Sequence, residues 1–529
     1  MFSEGTSLTL TDGYRLESDG GGTVPERPAA GYYRICAPAG ETADSLLVVS
    51  EEYPAPTFTD GGIIYQIFVD RFARGGDVKK RGDAVYYDWD SVPEYRRDEN
   101  GNLENNSLFG GTLYGVAEKL PYIASLGASA IYLSPVCSAY SNHKYDTCDY
   151  LRVDEGFGGD AALRLLTDKA KKYGIRIILD GVFNHVGDKS LYFRDAVSNP
   201  SSPYRDWFSF TRFPNEYDCW WGCRNLPKTV KNDSFRSFIC DRVIPRYMEM
   251  GIGGFRLDVV DEYDNAFTER IVRSVKSCDP GAEVIGEVWE DAAGKVAYGE
   301  RKSYFYGSSL DAVTNYPLRD GIVTFFLTGD PGALASAVSY QLTHYPRPAV
   351  MHNMNMLGTH DTERILTVLG GGGGDMPAER AASFRLSPEA RSVAVKRLKA
   401  AYALLVALPG TPCLYYGDEA GMEGKYDPFN RRAFPWGGED KELTAHFRAC
   451  GCLRKTAAAL VRGDARVAGA GKGLFAVTRT FASRSVTAVA FSGKGAYPLR
   501  GGAKDLITGE MYYGSVSAEE PKTVIFEER

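Results

Sequence analysis

The chain is predicted to fold as an α/β protein: a (β/α)8 barrel with a small subdomain inserted after its third strand and an antiparallel β-domain at its C-terminal end. Three observations predict this. Eight short apolar runs rich in β-branched residues, each ending in polar or charged residues, fall at 63–68, 130–134, 175–180, 253–258, 283–287, 310–314, 355–359 and 413–416. Helix-period segments lie between several of them, the pattern of parallel strands joined by crossover helices. From about Gly463 the pattern changes to alternating β-like runs at 474–480, 486–491 and 523–526, separated by Gly-rich breaks, as in a small antiparallel β-domain.

Each element has its own signal. The eight runs are nearly continuous in apolar character, as strands buried on both faces should be. Val116, Leu120, Ile123 and Leu126 recur at helical spacing, and Asp160 is placed to cap a helix carrying Leu163, Leu166 and Ala170 that closes at Gly174. A last barrel helix is expected near 442–461. The span from Ile63 to Tyr416 exceeds the roughly 250 residues of a bare barrel, so the excess is in loops. The widest gap, Gly181 to Ile252, is far longer than one crossover needs and implies an inserted domain B at about 186–232. Its aromatics, Tyr204, Trp207, Phe208, Phe210, Phe213, Tyr217, Trp220 and Trp221, form its own small core, a ligand wall, or both. The expected organisation is therefore a short N-terminal segment at 1–60 with weak strand signals at 32–36 and 46–49, a barrel at 61–462 and a C-terminal β-sandwich domain at 463–529.

Composition narrows the function. With 529 residues, 44% hydrophobic and 24% charged, the chain has ample material for a large core, and about 150 residues per domain suggests three or four units. A net charge of −7 argues against nucleic acid, which calls for a basic patch, and suits a neutral small-molecule substrate. No run approaches the roughly 18 apolar residues of a membrane span. The first residues show no basic stretch followed by an apolar one, so a cytoplasmic location is expected, with the ten cysteines as reduced thiols. Cys219 and Cys223 lack the second pair that a metal site needs. The glycines at 370–374 lack the Gly-Lys-Ser/Thr ending of a phosphate loop.

Catalytic groups of such a barrel cluster at the C-terminal ends of its strands. Those ends carry Asp180 with Asn184 and His185, Arg256 with Asp258, Glu287, and His360 with Asp361. A buried carboxylate is costly unless paired or functional, and here Asp258, Glu287 and Asp361 come from separate strands. Arg256 and Asp258 share one face of their strand, so the guanidinium is expected to lower the aspartate pKa and keep it ionised. A second carboxyl with a raised pKa would complete the equipment for cleaving a glycosidic bond.

These residues resemble a known family. DGVFNH (180–185), GFRLDVVDE (254–262), GEVW (286–289) and LGTHD (357–361) look like the four signature segments of the alpha-amylase family, glycoside hydrolase family 13, in the family's order. IYQIFVDRF (64–72), SNHKYDTCDY (141–150) and YYGDEAGMEGKYDPFNRR (415–432) extend the likeness over roughly residues 60–460. LPK at 226–228, Glu262 and SNHKYDT resemble the neopullulanase and cyclomaltodextrinase branch. That branch usually carries an N-terminal β-sandwich that builds dimers and closes over the site; only about 60 residues precede the first strand here, so a monomer is favoured. The segment 72–83 lacks the Asn/Asp run that carries calcium in some relatives, so a structural calcium stays open with no clear site for it, and no cofactor is required.

The resemblance implies a retaining TIM-barrel glycosidase acting on α-1,4-glucosidic bonds in starch and maltooligosaccharides, with pullulan and cyclodextrins as further candidates. It implies Asp258 as nucleophile, Glu287 as acid and base, and Asp361 as the group gripping the sugar hydroxyls. Tyr145, His143, His185 and His360 would surround the same sugar, Arg256 would orient Asp258, and Asp180 would hold Arg256. Asp427 and Arg431 would bind the next sugar, and Glu262, Trp289 and Lys228 would lie on the acceptor side. Two alternatives stay open: a transglycosylase using the same covalent intermediate, and a catalytically dead carbohydrate-binding protein, which loss of any one carboxylate would favour.

Overall fold

The computed structural model describes residues 2–3, 15–18, 24, 28–38, 42–50, 61–97 and 103–528. The boundary expected at residue 60 lies outside them, as does most of the stretch read for an export signal. The eight barrel strands are β1 (Ile63–Ile67), β2 (Ala128–Leu133), β3 (Arg176–Gly181), β4 (Gly254–Leu257), β5 (Glu283–Gly286), β6 (Ala312–Val313), β7 (Met354–Met356) and β8 (Thr411–Tyr415). They form one parallel sheet in the order β6-β5-β4-β3-β2-β1-β8-β7, and a parallel bridge between Thr314 and Met354 joins its ends into a barrel. Each expected run contains or overlaps its strand. The interior is filled by Ile64, Ala130, Tyr132, Ile178, Ile285, Ala312, Met354 and Met356, while a larger apolar layer lies between strands and helices.

The helices show where local chemistry overrides periodicity. The segment around Val116–Leu126 is not one helix but two, Leu113–Glu118 and Leu120–Ser125, divided at Lys119 because Pro121 cannot donate to the ladder. Asp160 is not a cap: the helix Gly159–Lys172 starts from Gly158, which is left-handed at φ 100°. The Asp160 carboxylate instead accepts from the Val153 N–H at 3.2 Å. The last barrel helix spans Lys441–Thr456, followed by Ala458–Arg462.

Register then aligns the chemistry. Asp180 pairs with Arg256 across β3 and β4, and Leu257 pairs with Gly286 across β4 and β5, so the residues after them, Asp258 and Glu287, emerge side by side. Gly254 permits this, since a Cβ there would lie 1.9 Å from the Glu283 carbonyl oxygen.

The weak strand signals at the N-terminus belong to a four-stranded sheet of Phe2–Ser3, Thr42–Val49, Gly31–Cys36 and Arg15–Ser18, in that order. At the other end, Asp464–Gly471, Leu474–Phe481, Arg484–Phe491, Lys522–Glu528, Gly495–Asp505 and Met511–Ala518 lie in that order in one antiparallel sheet. It wraps its own core around Phe491, Val516 and Phe526. Buried Arg479 pins it to the barrel, donating to the carbonyls of Gly463 at 2.9 and 3.1 Å and of Ala407 at 3.0 Å.

Candidate active site

The floor of the site is built from strand ends. Buried Arg256 donates through Nη1 to Asp180 at 2.8 and 3.0 Å and to Asp258 at 2.9 Å, and its Nη2 lies 2.7 Å from Glu287 Oε1. One guanidinium thus gathers three carboxyls. Glu287 is fixed further by the Val259 N–H at 2.8 Å and by the indole of Trp289 at 3.3 Å. The first of these contacts depends on a left-handed Val259 at φ 40°, a conformation that costs a β-branched residue about 1–2 kcal/mol. The backbone strain directly after Asp258 therefore aims an amide at Glu287.

Asp361 sits beside this cluster. Its Oδ2 is 3.2 Å from His360 Nε2, and its Oδ1 is 3.3 Å from Arg431, which also meets Asp427 at 3.0 Å. Tyr145 links the halves, its hydroxyl 2.9 Å from Asp180 and 2.5 Å from His360 Nε2, with its ring parallel to that of His360. His143 is held against Ser141 at 3.0 Å. His185 stacks against Trp220 at an interplanar angle of 28°, with ring centroids 5.3 Å apart. On the far side Glu262 accepts from Asn184 at 3.1 Å and Trp220 at 2.8 Å and pairs with Lys228 at 2.6 Å. Trp289 stacks on Tyr316 at 3.8 Å.

The electrostatics correct one expectation. Arg256 does lower Asp258, but burial outweighs it, and with Glu287 and Asp180 adding repulsion the Asp258 carboxyl is pushed well above its ordinary range. Burial likewise raises Glu287, with Asp361 adding to the shift and Arg256 opposing it. Asp361 and Asp180 are raised for the same first reason. Asp180, Asp258, Glu287 and Asp361 share two guanidinium groups, one of which also serves Asp427, so these four retain protons more readily than free acids do, and Asp258 and Glu287 titrate as a pair. Burial pushes His143 and His185 down to about 3 and His360 well below its usual value, so all three are neutral hydrogen-bonding groups. Burial works against Glu262 ionising, yet Lys228 and its other donors outweigh it and hold its pKa low.

Of the fourteen residues anticipated for the site, eleven line one cleft of about 700 Å³; Arg256 and Asp180 form the floor beneath it, and Lys228 lies behind Glu262. The inserted aromatics divide between both expected roles: Trp207 and Phe208 pack inward, whereas Trp220 and Trp221 face the cleft. Sequence reasoning missed Gln66, whose amide is 2.8 Å from His360 Nδ1, and Tyr132, whose hydroxyl donates to Asp180 at 2.6 Å. Both had a signal: each is a polar-tipped residue inside an apolar strand run. Among the described residues no group of three or more His, Cys, Asp or Glu is arranged to hold a metal ion, and no helix is long and apolar enough to cross a membrane.

Comparison with known proteins matches residues 66–452 to the family model "Alpha amylase, catalytic domain". Neopullulanase 2 of Thermoactinomyces vulgaris is 35% identical over 493 residues, covering 88% of this chain and 76% of that protein. An amylopullulanase of Thermoanaerobacter thermohydrosulfuricus is 34% identical over 79% of this chain, which spans only 31% of that protein's length. Among solved structures, the cyclic α-maltosyl-(1→6)-maltose hydrolase of Arthrobacter globiformis superimposes with a TM-score of 0.75 at 28% identity, covering 90% of this chain and all of that one (100%).

Proposed function

Since the chain belongs to the alpha-amylase family, in its neopullulanase- and cyclomaltodextrinase-like branch, we propose that it is a retaining glycosidase cleaving α-1,4-glucosidic bonds in maltooligosaccharides and related α-glucans. One observation carries this reading: three carboxyls from three strand ends, Asp258, Glu287 and Asp361, meet around two arginines at the floor of an aromatic-lined cleft. Asp258 attacks the anomeric carbon as the glycosidic bond breaks, and the proton on Glu287 passes to the leaving oxygen. Water then attacks the glycosyl-enzyme, giving its proton to Glu287 and releasing Asp258. Asp361 and the neutral histidines hold sugar hydroxyls most tightly as the ring flattens, an interaction that speeds the step because it strengthens toward the transition state. Asp427 and Arg431 hold the adjoining sugar toward the non-reducing end, and Glu262 and Trp289 face the acceptor. All ten cysteines are unbridged, which suits a reducing compartment and supports a cytoplasmic location.

The test is incubation of the purified protein with maltotriose, starch, pullulan and β-cyclodextrin, with products followed over time. Shorter maltooligosaccharides are expected. No turnover of any of the four would defeat the proposal, while products longer than the starting maltotriose would make the acceptor a sugar instead of water. Because burial keeps the site histidines neutral, His360→Asn and His185→Asn should lower kcat/KM by about 10–100-fold, the worth of a lost hydrogen bond at about 1.4 kcal/mol per decade. The acid limb of the pH–rate profile should stay in place. A limb that moves with either substitution would show that a histidine titrates in the working range.

A further inference from the structure

The segment after β8 borders two cavities. Arg431 reaches Asp361 and lines the sugar cleft, whereas its neighbour Arg432 lines a second cavity of about 460 Å³. Arg385, Arg391, Glu423 and Asp440 line that second cavity as well, and none of them reaches the cleft. The segment between the two is tied down by its backbone. The Asn430 carbonyl accepts from Arg364 at 2.8 Å, the Arg431 carbonyl from Arg71 at 2.7 Å and the Arg432 carbonyl from the Tyr416 hydroxyl at 2.7 Å. The second cavity is therefore preformed.

Its charges are unevenly matched. Arg391 is satisfied: it donates to Glu423 at 2.7 Å and to the Gly421 carbonyl at 3.1 Å, with Asp440 3.6 Å away. Among the described residues neither Arg385 nor Arg432 has a carboxylate within ion-pair distance. Arg385 donates to the Phe384 carbonyl at 2.7 Å, and Arg432 to the Ala382 carbonyl at 2.5 Å. The Arg432 Nε is buried with no partner at all. Burial, together with repulsion from Arg385 and Arg364, brings Arg432 down to about 10, with Glu423 opposing, so it is still a cation at neutral pH. The carboxylates differ in their freedom. Glu423 accepts from Arg391 and from the Leu386 N–H at 2.8 Å. Asp440 uses Oδ1 to cap the helix Lys441–Thr456, accepting from the Leu443 N–H at 3.0 Å, which leaves Oδ2 beside the cavity.

We propose that this cavity binds a small phosphorylated sugar, with Arg385 and Arg432 holding the phosphate and Asp440 and Glu423 accepting from the sugar hydroxyls. The guanidinium fork matches the geometry of phosphate oxygens and makes charge-assisted hydrogen bonds to them. A carboxylate has spare lone pairs for hydroxyl donors. The cavity lies in the size range of small-molecule pockets and is roomier than a bare phosphate ion requires. The bound ligand would sit behind the segment whose other side presents Asp427 and Arg431 to the cleft.

The test is isothermal titration calorimetry at fixed ionic strength with glucose 1-phosphate, glucose 6-phosphate, orthophosphate, sulfate and glucose, on the wild type, Arg385→Gln and Arg432→Gln. Arg385 is exposed, so its substitution spares the core; circular dichroism checks the fold of both variants. At least one of the two sugar phosphates should bind the wild type at a single site. Its Kd should be at least about tenfold below those of glucose and of the two inorganic ions, and should rise at least about tenfold in each variant, the worth of a charge-assisted hydrogen bond. Binding of orthophosphate or sulfate as tightly as either sugar phosphate would reduce the cavity to a patch of positive charge and overturn the proposal. So would an unchanged Kd in folded Arg385→Gln, or no binding of either sugar phosphate. Because the readout is binding alone, these outcomes are independent of whether the protein turns over α-glucans.

Discussion

Asp258→Asn should abolish glycoside cleavage, with a loss on the order of 10⁴-fold or more in kcat, because the amide cannot form the covalent intermediate. Glu287→Gln should lose about 10²–10⁴-fold on natural glucans, the range for a missing acid and base. It should lose much less in the first step on a glycosyl fluoride, whose leaving group needs no proton. The two variants also differ from a simple loss of fold in what they do to stability. Burial holds the Asp258 carboxyl well above its ordinary range, so the folded chain binds this proton more tightly than the unfolded chain does. The group then costs nothing extra while protonated, and stability falls as the pH rises through its raised folded value. Asn removes that cost. Asp258→Asn should therefore be inactive yet more stable at neutral pH, with the gain shrinking on acidification. Thermal melts across the acid-to-neutral range check this; a variant that melts below the wild type at neutral pH would contradict it, and wild-type-like turnover would overturn the assignment of Asp258.

Why the barrel could be read in advance is a matter of burial. Strands covered on both faces must be apolar throughout, and their polar ends then stand out, so Asp180, Asp258, Glu287 and Asp361 were legible as strand-end residues. The antiparallel strands Gly495–Asp505 and Met511–Ala518 were not read, since they alternate exposed with buried positions and contain Gly and Pro. The N-terminal sheet gave little signal for a related reason: it buries few side chains of its own, chiefly Leu16, Leu46 and Val48. Within the site, residue identity showed which groups carry charge but not how far burial would shift them. The sign of the Asp258 shift turns on burial outweighing the neighbouring Arg256, and both are properties of the folded cluster.

Arg256→Met should produce the largest stability loss of any site substitution. The guanidinium is buried and faces Asp180, Asp258 and Glu287 at 2.7–3.0 Å, so its removal strands three carboxyls in the barrel mouth without a cation. Breaking a buried pair from one side costs about 3–5 kcal/mol. The chain has one means of relief, which is to protonate the stranded acids. Their folded pKa values rise further above the unfolded ones, so the variant loses stability as the pH rises through those folded values and recovers part of it on acidification. Urea denaturation at about pH 5 and about pH 8 should show the deficit growing with pH. Activity should fall steeply as well, because Asp258 loses both the hydrogen bond that orients it and the cation that favours its ionised form. Arg256→Lys retains the charge but reaches fewer partners than the planar fork does, so it should recover some stability and little turnover. The contrast with Asp258→Asn is the decisive part: both variants lose activity, but removing a carboxyl stabilises the site while removing its cation destabilises it. A deficit below about 1 kcal/mol at about pH 8, or one that does not shrink in acid, would mean that the three carboxyls are not held together by Arg256.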